Sequence, residues 1–167
     1  RCPLWLPPGI LAAMDEIVPR AFIETFTGID MHSLVKGHDK HIRVLSFDMG
    51  VDGHLRDGVA AGRHTYRPLR LTFEIDVETP MLLDALSKNA ELKEVVVKFY
   101  RHQGAKWDVY GTFTFKQVHV ESMQLHYGEA DALQTMLVTM QLVYGQIDVD
   151  VNKKKFADQV FDLPTRA

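Results

Sequence analysis

The segment from Arg67 to Arg101 constrains the fold more than any other part of the chain. Apolar and polar side chains alternate from Leu69 to Val77, which is the period-2 pattern of a strand with one buried face. Thr79-Pro80 then predicts the start of a helix, because Thr79 can cap the first free amides and proline suits the first turn. Alternation returns from Val95 to Phe99. This order of strand, helix and strand predicts a mainly β protein with one helix.

The helix is predicted over about residues 79–90. Asn89 is expected to end it, because asparagine tolerates the left-handed backbone conformation that follows many helices. Asp84, Ser87 and Lys88 are expected to point away from the core. The apolar residues that share the opposite face, and that we expect to be buried, are Leu82, Leu83, Leu86 and Ala90.

Four further segments have the composition or the alternation of strands. The apolar side changes between Val44 and Leu45 and again at Gly145, and such a change indicates a bulge or a bend. We interpret Gly145 as a hinge where glycine tolerates unusual backbone angles. The pattern predicts a β barrel of two packed antiparallel sheets with one flanking helix. The four segments are Ala21–Ile29, His41–Val51, Asp108–Tyr127 and Ala132–Val151.

The length of 167 residues predicts one folded domain. Four prolines and Gly9 interrupt regular structure near the start, so we interpret residues 1–20 as an extension outside the core. The predicted barrel domain covers residues 21–155 and ends at a run of three lysines. Residues 156–167 are predicted to form a tail with a little helix.

The composition excludes several classes of partner. The net charge of -3 gives no electrostatic case for binding nucleic acid or an anionic membrane. No apolar run reaches the roughly 18 residues of a membrane-spanning helix, so membrane insertion is not expected. Cys2 is the single cysteine, which excludes a disulfide within one chain and is typical of synthesis in a reducing compartment.

No catalytic, cofactor or metal site is predicted, and the chain is not expected to be an enzyme. His119 and Glu121 lie two residues apart on one strand, as do Glu74 and Asp76. Such pairs are more typical of the solvent-exposed face of a sheet than of acid–base catalysis. The remaining candidates for metal binding, interpreted as surface or core residues instead, are His32, His38, His41, Met123, Met136 and Met140.

The connection from Gly50 to Tyr66 is long for a link between two strands. Loops of this length in compact domains are usually functional or disordered. Its four glycines do not have the spacing of a phosphate-binding loop. The polar side chains that it could present to a partner are His54, Arg56, Asp57, Arg63 and His64.

The order of these elements resembles a known family. Val44-Leu45-Ser46-Phe47 ends one strand, a glycine-containing loop follows, and Arg67-Pro68-Leu69 opens a strand that runs to Ile75-Asp76. Thr79-Pro80, a short leucine-rich helix, a valine-rich strand and a long hairpin complete the order. Over about residues 21–151 the chain resembles the haemolysin-coregulated protein (Hcp) family of bacterial type VI secretion.

This resemblance implies a β barrel that assembles into hexameric rings, which stack into the inner tube of the secretion apparatus. It implies synthesis in the bacterial cytoplasm followed by secretion, with a spike protein, a contractile sheath and effector proteins as partners. The loop over residues 50–66 would help the rings to stack. The polar strand residues that could line the lumen are Ser46, Asp48, Arg70, Thr72, Glu74 and Asp76.

Two other assignments fit the same pattern of strands. A phage-type tail-tube protein has a related architecture. A monomeric barrel that binds a small apolar ligand would need a wide cavity lined by Phe and Met side chains. The mass of the protein in solution separates a ring from a monomer.

Overall fold

A computed structural model describes residues 20–26, 41–53, 55–56, 59–60, 64–75, 78–103, 106–127 and 136–160. Most of the predicted extension, together with His32 and His38, lies outside the described residues. One helix, α1, spans Thr79–Ser87 in the described part of the chain. The strands are β1 (Arg20–Phe26), β2 (Ile42–Asp48), β3 (Val51–Asp52), β4 (Leu55–Arg56), β5 (Val59–Ala60), β6 (Thr65–Tyr66), β7 (Leu69–Glu74), β8 (Glu91–Gln103), β9 (Lys106–His126), β10 (Leu137–Val151) and β11 (Lys154–Gln159).

Seven of these strands form one antiparallel sheet in the order β11-β10-β7-β2-β1-β8-β9. β9 also pairs with β10, from His126 opposite Leu137 to Gly111 opposite Val151. This pairing closes six strands into a barrel and leaves β11 as an extra strand on β10. The prediction of a mainly β barrel with a flanking helix is therefore confirmed, and closure gives each of the six strands two neighbours.

Apolar side chains fill the inside of the barrel. Leu71, Phe73, Phe115 and Met140 are each 0% exposed. Phe115 packs edge-on against Tyr144, with their ring centroids 4.9 Å apart. The axis of the barrel is a packed core, so the alternative of an apolar ligand in a wide internal cavity does not fit this structure.

The bend predicted in β2 is a β-bulge. The register between β2 and β7 shifts between Val44 and Ser46, which leaves Leu45 as the extra residue, 37% exposed. Phe47 then returns to the core, where its ring packs against Phe99. The change of apolar side in the sequence is the position of the bulge, and the bulge keeps the later apolar side chains inside the barrel.

Gly145 lies where both long strands change side, as predicted, but for another reason. Gln117, which faces it across the β9–β10 ladder, has a φ of 53° and takes the left-handed conformation. Gly145 itself is outside that conformation. A Cβ at Gly145 would collide with Oε1 of Gln117 and lie 3.2 Å from its Cβ. The close approach of Gln117, rather than the backbone angles of Gly145, is what favours glycine here.

The start of α1 differs from the prediction, whereas its end agrees with it. Glu78 is the N-cap residue and makes no side-chain cap bond. The prediction of Thr79 as the cap is therefore wrong, and Thr79 is instead the first helical residue and is buried. At the other end, Asn89 has a φ of 48°, so the predicted left-handed stop is confirmed.

The buried side of α1 is narrower than predicted. Leu82 and Ala85 face the core, whereas Leu83 is 40% exposed and Ala90 is exposed beyond the end of the helix. The helix packs against β9. Its contact with the barrel involves mainly residues three apart, because a short helix lying on a curved sheet can bury only a narrow stripe.

The chain continues as a strand after the lysine run. β11 pairs with β10 from Lys154 opposite Val151 to Gln159 opposite Gln146. Asn152 and Lys153 join the two strands with φ values of 50° and 67°, as in the two-residue turns that favour hairpins. The predicted helix is therefore wrong for residues 156–159, and residues 161–167 lie outside the described residues.

Candidate functional site

The polar side chains predicted on β2 and β7 share the outward side of the barrel. Ser46 lies opposite Thr72, and Asp48 lies opposite Arg70. Between them, Leu71 is fully buried, so successive residues of β7 divide between core and surface. Asp76 lies outside the described residues. The described members of the predicted set are Ser46, Asp48, Arg70, Thr72 and Glu74.

β10 and β9 extend this outward surface with residues that the sequence analysis did not select. Thr139 lies opposite Thr72, and the two hydroxyl oxygens are 3.2 Å apart. Gln141 lies opposite Arg70 on the same strand pair. The alternation of Thr139 and Gln141 with Met140 was the signal that could have identified them. We call the four-stranded surface the polar face, with the members Ser46, Asp48, Arg70, Thr72, Glu74, Ser122, Gln124, Thr139 and Gln141.

Residues 50–66, which we call the arm, contain short antiparallel ladders where a loop was predicted. β3 pairs with β6 through Val51 and Tyr66, and β4 pairs with β5 through Arg56 and Val59. Of the predicted contact residues, Arg56 lies in β4 and His64 immediately precedes β6. The predicted contact residues outside the described part of the chain are His54, Asp57 and Arg63.

Arg67 lies at the base of the arm and joins its two legs, which are β3 and β6. The backbone N–H of Arg67 donates to the carbonyl oxygen of Gly50 at 2.8 Å. Its Nε and Nη2 atoms donate to the two carboxylate oxygens of Asp52, each at 2.7 Å. These hydrogen bonds raise the pKa of the Arg67 guanidinium. The paired geometry fixes the orientation of the legs, although an exposed ion pair contributes little stability.

Asp158 on β11 contacts the arm. Its Oδ2 atom accepts a hydrogen bond from the Tyr66 hydroxyl at 2.6 Å and lies 2.7 Å from Nε2 of His64. The hydrogen bonds from His64 and then Tyr66 lower the pKa of the Asp158 carboxyl. Burial, followed by the bond to Asp158, raises the pKa of the Tyr66 hydroxyl. His64, predicted to be available to a partner, is thus bonded within its own chain.

An apolar groove of about 510 Å³ lies between the base of the arm and the sheet. Phe156 of β11 lies at this groove and is 54% exposed. Tyr66 connects the groove to the core, because its ring packs edge-on against Tyr144 with the centroids 6.2 Å apart. The residues that line the groove are Met49, Val51, Gly53, His64, Tyr66, Phe113, Ile147, Val149 and Phe156.

Besides the Asp84–Lys88 pair on α1, two ion pairs away from the arm join neighbouring strands in the described ranges. Glu24 of β1 accepts hydrogen bonds from Lys98 and Tyr100 of β8. Burial raises the pKa of Glu24, but the bonds from Lys98 and Tyr100 outweigh it and leave the pKa lowered. Lys116 lies 2.9 Å from Asp148, and this contact lowers the pKa of the aspartate.

The described ranges contain no group of three or more His, Cys, Asp or Glu side chains placed to hold a metal ion. No helix in those ranges is long and apolar enough to cross a membrane. His119, considered with Glu121 for acid–base work, lies opposite Glu91 and Val143 on the neighbouring strands. Its Nδ1 atom is buried with no hydrogen-bond partner in the described part of the chain.

The fold is similar to several solved Hcp structures. A structure described as that of an Hcp protein has a TM-score of 0.75 at 17% identity, covering 86% of this chain and 98% of the other. The Hcp1 protein from E. coli has a TM-score of 0.73 at 19% identity, covering 87% and 99%. The secreted protein Hcp3 from Pseudomonas aeruginosa has a TM-score of 0.67 at 17% identity, covering 86% and 98%.

The comparison of sequences gives the family. A search of curated proteins found no match. The model of the family described as "Type VI secretion system effector, Hcp" matches residues 23–151, which include the whole closed barrel except the beginning of β1. The chain therefore belongs to the Hcp family of type VI secretion proteins.

Proposed function

We propose that this chain is the subunit of the inner tube of a type VI secretion system. In this proposal six copies form a ring, rings stack into a tube, and the tube is secreted with effector proteins in its lumen. The observation that carries the proposal is the combination of a filled barrel with a continuous polar face on four of its strands. A surface of this kind suits a wall that meets water on one side and protein on the other.

The polar face is the proposed wall of the lumen. Its described charged groups are Asp48, Arg70 and Glu74, and its other members are neutral Ser, Thr and Gln residues. Neutral hydroxyl and amide groups hydrate well without a strong field of one sign, so cargo of either charge could pass.

The arm is the proposed contact between rings. Arg56 and Asp57 would pair with groups on the next ring. A single exposed ion pair contributes only about 0–1 kcal/mol, so the contact must gain its strength from repetition around the ring. Stacking should weaken as salt is added, because exposed charges are screened.

Light scattering at tens of micromolar tests the assembly. The expected result is the mass of a hexamer at low salt, with larger species as rings stack. Only monomer over this range would contradict the proposal.

Charge reversal of Arg56 and Asp57, separately and together, tests the role of the arm. We expect intact rings that fail to form tubes, with secretion lost. The matched control reverses Asp84 and Lys88, an exposed ion pair of 2.7 Å on α1. Normal tubes from the arm variants, or rings that fall apart, would contradict the assigned role.

Thiol labelling tests the lumen. With Cys2 replaced by serine, Gln124→Cys on the polar face and Lys88→Cys on α1 are compared. In assembled tubes a small maleimide should label both positions, whereas a bulky polymer-linked maleimide should reach only position 88. Equal labelling of position 124 by both reagents would contradict a lumen-facing surface.

The proposed partners are further copies of the chain, the spike protein at the tip of the tube, the contractile sheath and the effectors. Nucleic acid and membrane insertion are not part of the proposal. The proposed route leads from the bacterial cytoplasm to the medium or a target cell. The family match favours this assignment over a phage-type tail-tube protein.

A further inference from the structure

The arm has little internal stability of its own. Its base ladder consists of two residue pairs between β3 and β6. A two-stranded ribbon is marginally stable at best in water, and this one is very short. The contacts of Arg67 tie the two legs to each other. The bonds to Gly50 and Asp52 do not set the angle between the ribbon and the barrel, so that angle depends on tertiary contacts. One of these is a 3.3 Å hydrogen bond from the Tyr144 hydroxyl of β10 to the carbonyl oxygen of Arg67.

β11 supplies such contacts from outside the closed barrel. One oxygen of Asp158 bonds to both Tyr66 and His64, at 2.6 Å and 2.7 Å. Phe156 lies two residues earlier on β11, so it projects from the same side of the strand as Asp158. Phe156 and Tyr66 both line the apolar groove. One strand thus presents a polar contact to Tyr66 and His64 of the arm and an apolar side chain to the groove that Tyr66 also lines.

We propose that β11 is a bracket that sets the direction of the arm, with Asp158 as the positioning residue. The partner that this direction serves is a second copy of the chain, and this part of the inference rests on the proposed function. The backbone N–H of Gln159 donates to the other oxygen of Asp158 at 2.9 Å and holds the carboxylate in place. Because β11 lies outside the six closed strands, its contacts can be removed without opening the barrel.

Hydrogen exchange measured on the intact chain tests the bracket directly. In Asp158→Ala, amides of residues 51–53 and 64–67 should exchange about tenfold faster, since hydrogen bonds to a charged group are lost. Amides of β7 should exchange at the parent rate. Tyr66→Phe keeps the aromatic ring and removes one donor, so its effect should be intermediate.

Asp148→Ala is the matched control for this experiment. It also removes a carboxylate from the β10–β11 hairpin and breaks the 2.9 Å contact with Lys116, but it leaves the arm untouched. Arm amides should exchange at the parent rate in this variant. Unchanged exchange in Asp158→Ala would overturn the bracket, and so would an equal acceleration in the arm and in β7.

Tube formation tests which partner the bracket serves. Asp158→Ala should form rings of parent mass but need about tenfold more protein to stack, whereas Asp148→Ala should stack like the parent. If Asp158→Ala loosens the arm but stacks normally, the bracket does not serve a second copy. If the parent itself never stacks, the proposed function fails, while the exchange measurement still decides whether β11 holds the arm.

Discussion

The barrel and the arm with its β11 bracket differ in how their strands are held. In the barrel each of the six strands has two neighbours, and interior side chains such as Leu69 and Val97 are completely buried. The arm has ladders of two residue pairs, and β11 pairs on one side only, with β10. The link between β11 and the arm includes the carboxylate of Asp158, which bonds to both Tyr66 and His64 and whose side chain is 30% exposed.

This difference separates folding of the chain from its proposed assembly. Many equivalent apolar contacts stabilise the barrel, so its free energy of unfolding should respond to the volume of buried side chains. A few polar contacts orient the arm, so changes there should alter assembly far more than unfolding. The same contrast predicts which substitutions lower the free energy of unfolding strongly and which leave it almost unchanged.

The largest effect is expected from Phe115→Ala in the barrel. Phe115 is 0% exposed and packs against Tyr144 and Phe47. Its truncation should lower the free energy of unfolding by about 3–5 kcal/mol, because it leaves a cavity in a closed core. Phe156→Ala, at a position 54% exposed, is the control and should cost less than about 1 kcal/mol. Equal losses in urea denaturation would remove the distinction between the two regions.

A smaller effect is expected from Gly145→Val. The new side chain would collide with Gln117, and overpacking of this kind costs about 1–3 kcal/mol. Gly111→Ala on β9 is the control, because a Cβ there meets no atom closer than 3.7 Å. Adding Gln117→Gly to Gly145→Val should recover part of the lost stability, since it removes both the collision and a left-handed side-chain residue. Thermal unfolding that shows no recovery would contradict the steric explanation.

Lowering the pH should reduce the free energy of unfolding of the parent protein more than that of the Glu24→Gln variant. The folded pKa of Glu24 is lowered, so its stabilising contribution is complete above its unfolded pKa and is lost as the pH falls through the folded value. The difference should develop as the pH falls below about 4.5, the ordinary pKa of a Glu carboxyl, and amount to no more than about 1 kcal/mol after screening. In a Lys98→Met background most of this difference should disappear. Identical acid profiles of parent and Glu24→Gln in urea titrations would contradict it.

The smallest effect is expected at the turn before β11. Lys153 has a φ of 67°, and glycine adopts such a conformation without steric cost. Lys153→Gly should therefore stabilise the β10–β11 hairpin by about 0.5–1 kcal/mol. The gain should appear as slower hydrogen exchange in β11, with little change in barrel amides. Faster exchange in β11 would contradict the assigned turn.

Local features of the sequence predicted most of the barrel. The alternation around Leu71 and Phe73, the position of α1 and the stop at Asn89 all depend on residues close together in the chain. The changes of apolar side near Leu45 and Gly145 also marked real irregularities. These features could be predicted from the sequence because strand alternation, helical spacing and left-handed helix stops each depend on residues that are close together in the chain.

Tertiary structure decided what those features were used for. Pairing of β10 with β7 placed Thr139 beside Thr72, and closure of β9 on β10 completed the polar face with Ser122 and Gln124. The contact between His64 and Asp158 joins residues 94 positions apart. Neither is visible in a local pattern, because strand register is set by the packing of the whole barrel. A polar group finds its partner only after that register has formed. The sequence by itself therefore determined the barrel strands, the helix and the family resemblance, whereas β11, the ladders of the arm, the polar face and the bracket were decided by tertiary structure.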